Sequence, residues 1–403
     1  MSALFSYHHI LKTYTDLKTR KSADRGKSLP TGVDGMRTDV FERNLQHSIG
    51  EIERKLNSKT PSGHIAYSFG PLLRIERKKA SGGIRYLHVP RLRDQIVLRI
   101  IHDEIINAAS KNGISLNLKS PYSLVNEFNE VVKQYRDPWI VKADITGFYD
   151  TIPRNTAIRF CENIGMDKEV FLLLKQWGDT LNIKEGYLAS SRNESSGIGL
   201  PQGLSISSSL AELYAKEIDK AYLHHQGYFR YVDDILILCA NKEEANNTLN
   251  ALKENIKSKG LQLADNKTGV KQMLEGFEWL GMNHFPDRKS ISPDKQEQWI
   301  RPFLGIKRNC IKQLSACTTE EEKTAVLKHL LKQTEKHMHG NKRSRIRWYS
   351  LFEDTGQWKK MDQMIHGFLR ACFRKANVGD MPTWKFPSLH AKIHSIKKLK
   401  ESS

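Results

Sequence analysis

Two adjacent aspartates, Asp233 and Asp234, interrupt the most β-forming stretch of this chain, FRYVDDILIL (229–238). Phe229, Tyr231 and Ile235 to Leu238 suit a pleated, half-buried surface, and Ile235 to Ala240 is the longest unbroken apolar run in the sequence. Such a stretch reads as two strands broken at the acidic pair, which leaves two carboxylates side by side where a sheet turns. A second segment, Trp139 to Ile145, alternates and carries Asp144 near its end, so a half-buried strand brings a third carboxylate to a sheet edge. Burying neighbouring carboxylates costs desolvation and mutual repulsion, and a divalent cation is the simplest agent that offsets both. Two Mg²⁺ held between a strand-end and a hairpin-tip aspartate can clamp the attacking and leaving oxygens of an in-line phosphoryl displacement. An aspartate pair alone also marks many ordinary polar hairpin tips, so its surroundings decide.

The charge of the chain points the same way. Its 403 residues carry 64 Lys and Arg against 45 Asp and Glu, a net +19, which favours a polyanionic partner. The excess is uneven, because Arg301 to Ser403 holds 22 basic and 9 acidic residues and supplies +13 of it. A solvated helical surface is the plainer reading of a single charge run, but a whole basic terminal region fits phosphate binding better. No apolar run approaches the roughly 18–20 residues that a membrane helix needs. Five scattered cysteines without a CxxC pair suit reduced thiols rather than a disulfide framework or a zinc site. The amino terminus has no export pattern, so a cytoplasmic protein is expected, with no membrane partner.

Along the chain, residues 1–70 read as helices and turns, with TGVDG (31–35) a turn and Phe41 to Leu56 one amphipathic helix. Leu72 to Glu76 and Ile84 to Val89 flank KKASGG (78–83) as a strand pair. Arg93 to Ala109 and Leu204 to Ala221 read as helices. Beyond about Phe285 no strand is expected, and segments 303–316, 320–339 and 357–375 look helical, with HGNKRS (339–344) a turn.

The order ADITGFYD (143–150), GLPQGLSISS (199–208), YVDD (231–234), LADNKT (263–268) and FEWLG (277–281) resembles the successive palm motifs of reverse transcriptases. The separations, 58 residues from Asp144 to Gln202 and 31 from Gln202 to Asp233, are of the size that family shows. Upstream, RIERKKASGGIRYLHVP followed by RDQIV (74–97) is similar to the fingers motifs, and TGVDGM (31–36) to a short motif of bacterial and group II intron relatives. The resemblance implies an α+β, right-hand polymerase. Fingers would span 1–140 with an amino-terminal extension. A palm with an antiparallel sheet would span 141–285, with a helical insertion at about 155–195, and a basic helical thumb 286–403.

It also implies roles. Asp144, Asp233 and Asp234 would be the catalytic carboxylates and, with the Ile145 carbonyl, the ligands of two Mg²⁺, with Mn²⁺ as an alternative. Tyr149 would lie under the sugar and exclude a 2′-hydroxyl, while Gln202, Lys78, Arg85 and Lys267 would contact the deoxynucleoside triphosphate. Phe277, Trp279 and Gly281 would support the primer end, and Arg343, Arg345 and Arg347 would grip the duplex. An RNA template, a DNA product and dNTPs are the implied partners. The resemblance leaves open a homo-oligomer or a partner protein.

Within the family, no ribonuclease H, integrase or endonuclease segment is visible, and the stretches that would carry retron motifs read NAASK (107–111) and KTG (267–269). The resemblance is therefore to stand-alone bacterial reverse transcriptases that act in antiphage defence with a non-coding RNA. The alternatives are a retron-type or group II intron-derived reverse transcriptase or maturase, and a non-catalytic RNA-binding scaffold.

Overall fold

The computed structural model describes residues 2–23, 28–78, 82–116, 119–186, 190–194, 196–286, 288–339, 355–377 and Ser388. The chain forms two compact units, Met1–Val270 and Lys271–Ser403.

The first unit opens with helices α1 (Tyr7–Ala23), α2 (Thr38–Arg43) and α3 (Leu45–Asn57). The single helix expected over 41–56 is broken at Asn44, whose φ of −122° and ψ of 36° are not helical. Next come strands β1 (Leu72–Lys78) and β2 (Ile84–Val89), helices α4 (Leu92–Lys111) and α5 (Pro121–Val132), and strand β3 (Trp139–Asp144). Helices α6 (Phe148–Thr151), α7 (Arg154–Asn163) and α8 (Lys168–Asp179) lead to the short strands β4 (Asn182–Glu185) and β5 (Ser191–Asn193). Helix α9 (Ser205–Asp219), strands β6 (Tyr228–Tyr231) and β7 (Asp234–Cys239), helix α10 (Lys242–Ser258) and strand β8 (Gly269–Gln272) follow.

These strands make two sheets. One has the order β2-β1-β4-β5, with β1 and β2 antiparallel and β1 and β4 parallel. The other has the order β6-β7-β3-β8, with β7 antiparallel to both β6 and β3. Strand β7 is buried at every apolar position from Ile235 to Cys239, as expected of a strand covered on both faces.

Helix α4 packs a broad apolar stripe into the core, with Ile96, Val97, Ile100, Ile101 and Ile105 buried. It also buries three polar side chains, and each has a partner. Asp94 accepts hydrogen bonds from the Tyr67 hydroxyl at 2.6 Å, the Gly70 N–H at 3.0 Å and Arg91 Nε at 2.8 Å. His102 Nδ1 pairs with Ser209 Oγ at 3.1 Å, which joins α4 to α9, and Glu104 accepts from the Asp167 N–H at 3.0 Å. The turn at TGVDG forms as expected, and Gly32 is required there because a Cβ would lie 2.7 Å from the Arg91 Cα and the Pro90 oxygen.

The second unit contains a sheet of order β11-β10-β9, built from β9 (Phe277–Trp279), β10 (Met282–His284) and β11 (Lys289–Ile291). Strand β11 corrects the expectation that strands end near Phe285; it completes the hairpin of β10, with Met282 opposite Ile291. Helices α11 (Pro293–Leu314), α12 (Glu320–His339) and α13 (Thr355–Ala376) complete the described part. Helix α11 begins ten residues before the expected start at 303 and continues through Pro302, because Trp299, Ile300 and Phe303 are buried together and their packing outweighs the proline. The turn expected over 339–344 lies, beyond His339, outside the described residues.

Candidate active site

The pairing of β3 with β7 brings the acidic residues together. Asp144, the last residue of β3, lies directly across from Asp234, the first residue of β7, and Asp234 also pairs with Tyr231 across the β6–β7 hairpin. Val232 and Asp233 are therefore a two-residue turn, one position earlier than the break at 233–234 read from the sequence. Val232 has a φ of +59°. A β-branched residue in that region is an outlier that costs about 1–3 kcal/mol and persists only where the surroundings dictate it. Backbone hydrogen bonds supply part of that dictation. The Ile145 N–H donates to the Asp233 carbonyl at 3.0 Å, and the Ala264 N–H donates to the Asp144 carbonyl at 2.8 Å.

At this cluster burial and like charge outweigh the nearby Lys142 and Lys267 ammonium groups. Burial, followed by the nearby Asp144 and Asp233 charges, pushes the Asp234 carboxyl up to about 7. Burial and the Asp144 charge likewise raise Asp233. Asp234 Oδ1 is buried without a hydrogen-bond partner. Lys267 Nζ lies 2.9 Å from Asp144 Oδ2, with 57% of its side chain exposed, so this ammonium is a loosely held cation at the acidic cluster. Among the described residues, no group of three or more His, Cys, Asp and Glu side chains converges as a ready-made metal cage. The orphaned Asp234 oxygen and the raised Asp233 and Asp234 carboxyls nevertheless fit a cation held among Asp144, Asp233 and Asp234.

The residues expected to meet the nucleotide surround this cluster. Gly147, at φ +54°, caps the short helix α6, which buries Phe148 in the core and half-buries Tyr149. The Tyr149 hydroxyl is pushed up to about 12 by burial and then by the Glu212 and Asp233 charges. The loop preceding α9 is stapled to the α6 region, with the Leu200 N–H donating to the Tyr149 carbonyl at 2.7 Å and the Gly199 N–H to the Ile152 carbonyl at 2.8 Å. Gln202 follows in that loop. Its carbonyl accepts the His88 N–H at 2.7 Å, and its amide Nε2 lies 3.4 Å from Asp150 Oδ1. Gly203, at φ +106°, is needed because a Cβ would come within 3.0 Å of the His88 oxygen.

Lys78 and Arg85 are both exposed on the β1–β2 hairpin, but Lys78 pairs with Ile84 and Arg77 with Arg85. Strand alternation therefore points Lys78 and Arg85 to opposite faces of the hairpin. Arg85 is the one whose charge acts on Asp233 and Tyr149.

In the second unit, Phe277 and Trp279 are buried, and Phe277 stacks on His284 at 5.1 Å. Their side chains serve that unit's own core. Leu280 and Gly281, at φ +52° and +78°, form the β9–β10 turn. Arg343, Arg345 and Arg347 lie outside the described residues.

Sequence reasoning missed the buried groups behind the turn. Arg230, on β6, is fully buried and bonds Glu212 and Asp219 of α9. Burial works to raise Asp219, yet the Arg230 guanidinium and the Tyr228 hydroxyl hold it below the ordinary carboxylate range. Arg154, on α7, is also buried and donates to the Gly199 carbonyl at 3.1 Å and the Glu194 carbonyl at 2.6 Å, anchoring the loop that carries Gln202. The available signals were an arginine inside a β-forming run and the acids Glu212 and Asp219, seven apart on the helix that precedes it.

Residues 77–284, just over half of the chain, match the family described as reverse transcriptase (RNA-dependent DNA polymerase). The chain belongs to this family. It is 25% identical over 229 residues to an uncharacterized 91 kDa protein in the cob intron of Schizosaccharomyces pombe, covering 55% of this chain and 25% of that one. It is 24% identical over 308 residues to the protein YkfC of Escherichia coli, covering 64% of this chain and 76% of that one. The chain thus spans about a quarter of the length of the yeast intron protein. Among solved structures it is similar to apo telomerase from Candida tropicalis, with a TM-score of 0.46 and 13% identity over 87% of this chain and 71% of that one.

The raised Asp234 carboxyl gives a pH prediction for the chelated, metal-free chain. The fold favours protonated Asp234, so this group's contribution to stability is fully present below the ordinary value of 3.8, falls as pH rises towards about 7, and is lost above it. We expect Asp234→Asn to flatten this decline and to raise stability at pH 8 by at most about 4 kcal/mol, measured by denaturant unfolding in EDTA. A profile the substitution leaves unchanged would show a well-solvated carboxylate.

Proposed function

We propose that the chain is an RNA-directed DNA polymerase, extending a primer 3′-hydroxyl with deoxynucleoside triphosphates on an RNA template and releasing pyrophosphate. The observation that carries this reading is the cross-strand placement of Asp144 against Asp234 with Asp233 at the strained turn, in a chain of the reverse transcriptase family. Asp144 and Asp233, supported by Asp234 and the Ile145 carbonyl, would hold two Mg²⁺, or Mn²⁺ in their place. When bound, such ions stabilise charge on the attacking and leaving oxygens.

The remaining work belongs to the chain's own side chains and is largely positional. Tyr149 supplies a flat, half-buried surface for the sugar and crowds a 2′-hydroxyl. Gln202, its backbone fixed by His88 and its amide beside Asp150, would contact the incoming nucleotide and the template. Arg85, with Lys78 on the other face of the hairpin, brings positive charge to the triphosphate. Lys267, exposed beside Asp144, would bring its ammonium to the departing pyrophosphate. Gly281, in the turn between buried Phe277 and Trp279 and strand β10, supports the primer end. In this reading, residues 1–140 serve as fingers, 141–285 as palm and 286–403 as thumb, and the basic excess of the last hundred residues favours contact with the duplex backbone.

A cytoplasmic role in antiphage defence, with a dedicated non-coding RNA as template, is the cellular setting we attach to this activity. It rests on the motif-level resemblance to stand-alone bacterial enzymes. The test is to sequence the nucleic acid that co-purifies with the wild type and with the Asp233→Ala/Asp234→Ala form under resting and phage-infected conditions. We expect one RNA in both and its complementary DNA in the wild type alone. RNA bound equally by both, with no DNA in either, would make the chain an RNA-binding scaffold. The variant should remain folded, because removing like charges relieves repulsion.

Tyr149 gives a separate expectation. Tyr149→Ala should raise ribonucleotide incorporation relative to deoxynucleotide by roughly 10- to 100-fold, read from kcat/KM for the two sugars; unchanged discrimination would remove it from the sugar contact.

A further inference from the structure

We infer that Arg230 is a positioning residue that sets the Val232–Asp233 turn from helix α9, and so places the Asp233 carboxylate for the polymerase reaction. The inference deepens the polymerase reading and rests on it. A guanidinium has five N–H donors, and here each has an acceptor. Nε donates to Asp219 Oδ1 at 2.8 Å, and Nη2 donates to Asp219 Oδ2 at 2.8 Å and Glu212 Oε2 at 2.9 Å. Nη1 donates to Glu212 Oε1 at 3.0 Å and, at 3.1 Å, to the carbonyl of Val232. Four bonds hold the guanidinium to one helix, and the fifth holds the peptide that leads into Asp233.

Three features argue that this last bond orients rather than merely stabilises. First, Val232 is the strained residue, so its peptide needs an external hold to keep a φ of +59°. Second, the cluster is charge-balanced in the interior. Glu212 and Asp219 are matched by Arg230 and by Lys216, whose Nζ lies 3.4 Å from Asp219. Apolar residues of similar volume commonly stabilise a core as well as a buried ion network does, so stability alone is a weak account of it. Third, α9 starts at Ser205, immediately after the Gln202–Gly203 loop. One guanidinium therefore ties the helix that carries the nucleotide-contacting loop to the turn that carries the carboxylates.

The test is Arg230→Lys, which keeps the charge but lacks the planar fork, measured in three ways on the full chain. Single-nucleotide incorporation on an RNA-templated primer gives kcat and KM, thermal unfolding reports the fold, and hydrogen exchange of the 229–236 peptide in EDTA reports the turn without metal. We expect a folded protein whose kcat falls about 10²-fold, as for an ångström-scale misplacement. KM for the primer–template should be unchanged, and exchange should rise in the turn while α9 stays protected. A folded variant with wild-type kcat and wild-type exchange would overturn the inference, as would faster exchange spread evenly over the unit. Faster exchange confined to the turn, in a protein whose wild type incorporates no nucleotide, would uphold the positioning role and overturn the polymerase reading. If Arg230→Lys does not fold, Glu212→Gln, which leaves the Asp219 side of the fork intact, is judged by the same readouts.

Discussion

Three carboxylates meet at one end of a buried sheet, and the arrangement of the first unit answers to their repulsion. Asp144 and Asp234 face each other across β3 and β7, with Asp233 one residue away at the turn. Desolvation and like charge raise Asp233 and Asp234. Nothing in the acidic cluster favours its own assembly, so it must be imposed by the apolar strands that carry it. Ile235, Leu236, Ile237 and Leu238 supply that force, since burying each side chain contributes on the order of 2 kcal/mol. The cost that remains is a preference for cations, which the exposed Lys267 ammonium partly meets.

The surroundings follow from holding such a cluster still. Helices α4 and α9 are joined through His102 and Ser209, and α9 in turn grips the turn through Arg230. Arg154 and the Leu200 and Gly199 amides fasten the loop before α9 to the α6 region. His88 fixes the Gln202 carbonyl from strand β2, at a distance that only a glycine at 203 permits. The polar chemistry sits on short, multiply bonded connections between buried elements, which favours a site whose geometry is present before substrate arrives.

Much of this was legible in the sequence because it is local. The alternation of Trp139 to Asp144, the apolar run after Asp234 and the stripe of α4 each determine their own element, and the motif order carried Asp144, Asp233 and Lys267 to one place. What was not legible depends on pairing across distance or on the register of a turn. Arg230 looks like the solvent-facing member of an alternating strand until α9 is laid over it, and the seven-residue interval between Glu212 and Asp219 gains meaning only then. Lys78 and Arg85 look like partners by spacing, yet the hairpin register sends them to opposite faces. Phe277 and Trp279 have the composition of a contact surface and are instead the core of a small sheet. Strand β11 is three residues long and too short to show a period.

The most direct measurement is extension of a labelled DNA primer on a defined RNA template by the purified chain, with Mg²⁺ and the four dNTPs supplied singly and together. The account predicts stepwise addition of the template-encoded nucleotide, a stop wherever the complementary dNTP is withheld, and no addition in EDTA. Binding of the primer–template with no extension under any divalent ion would contradict it.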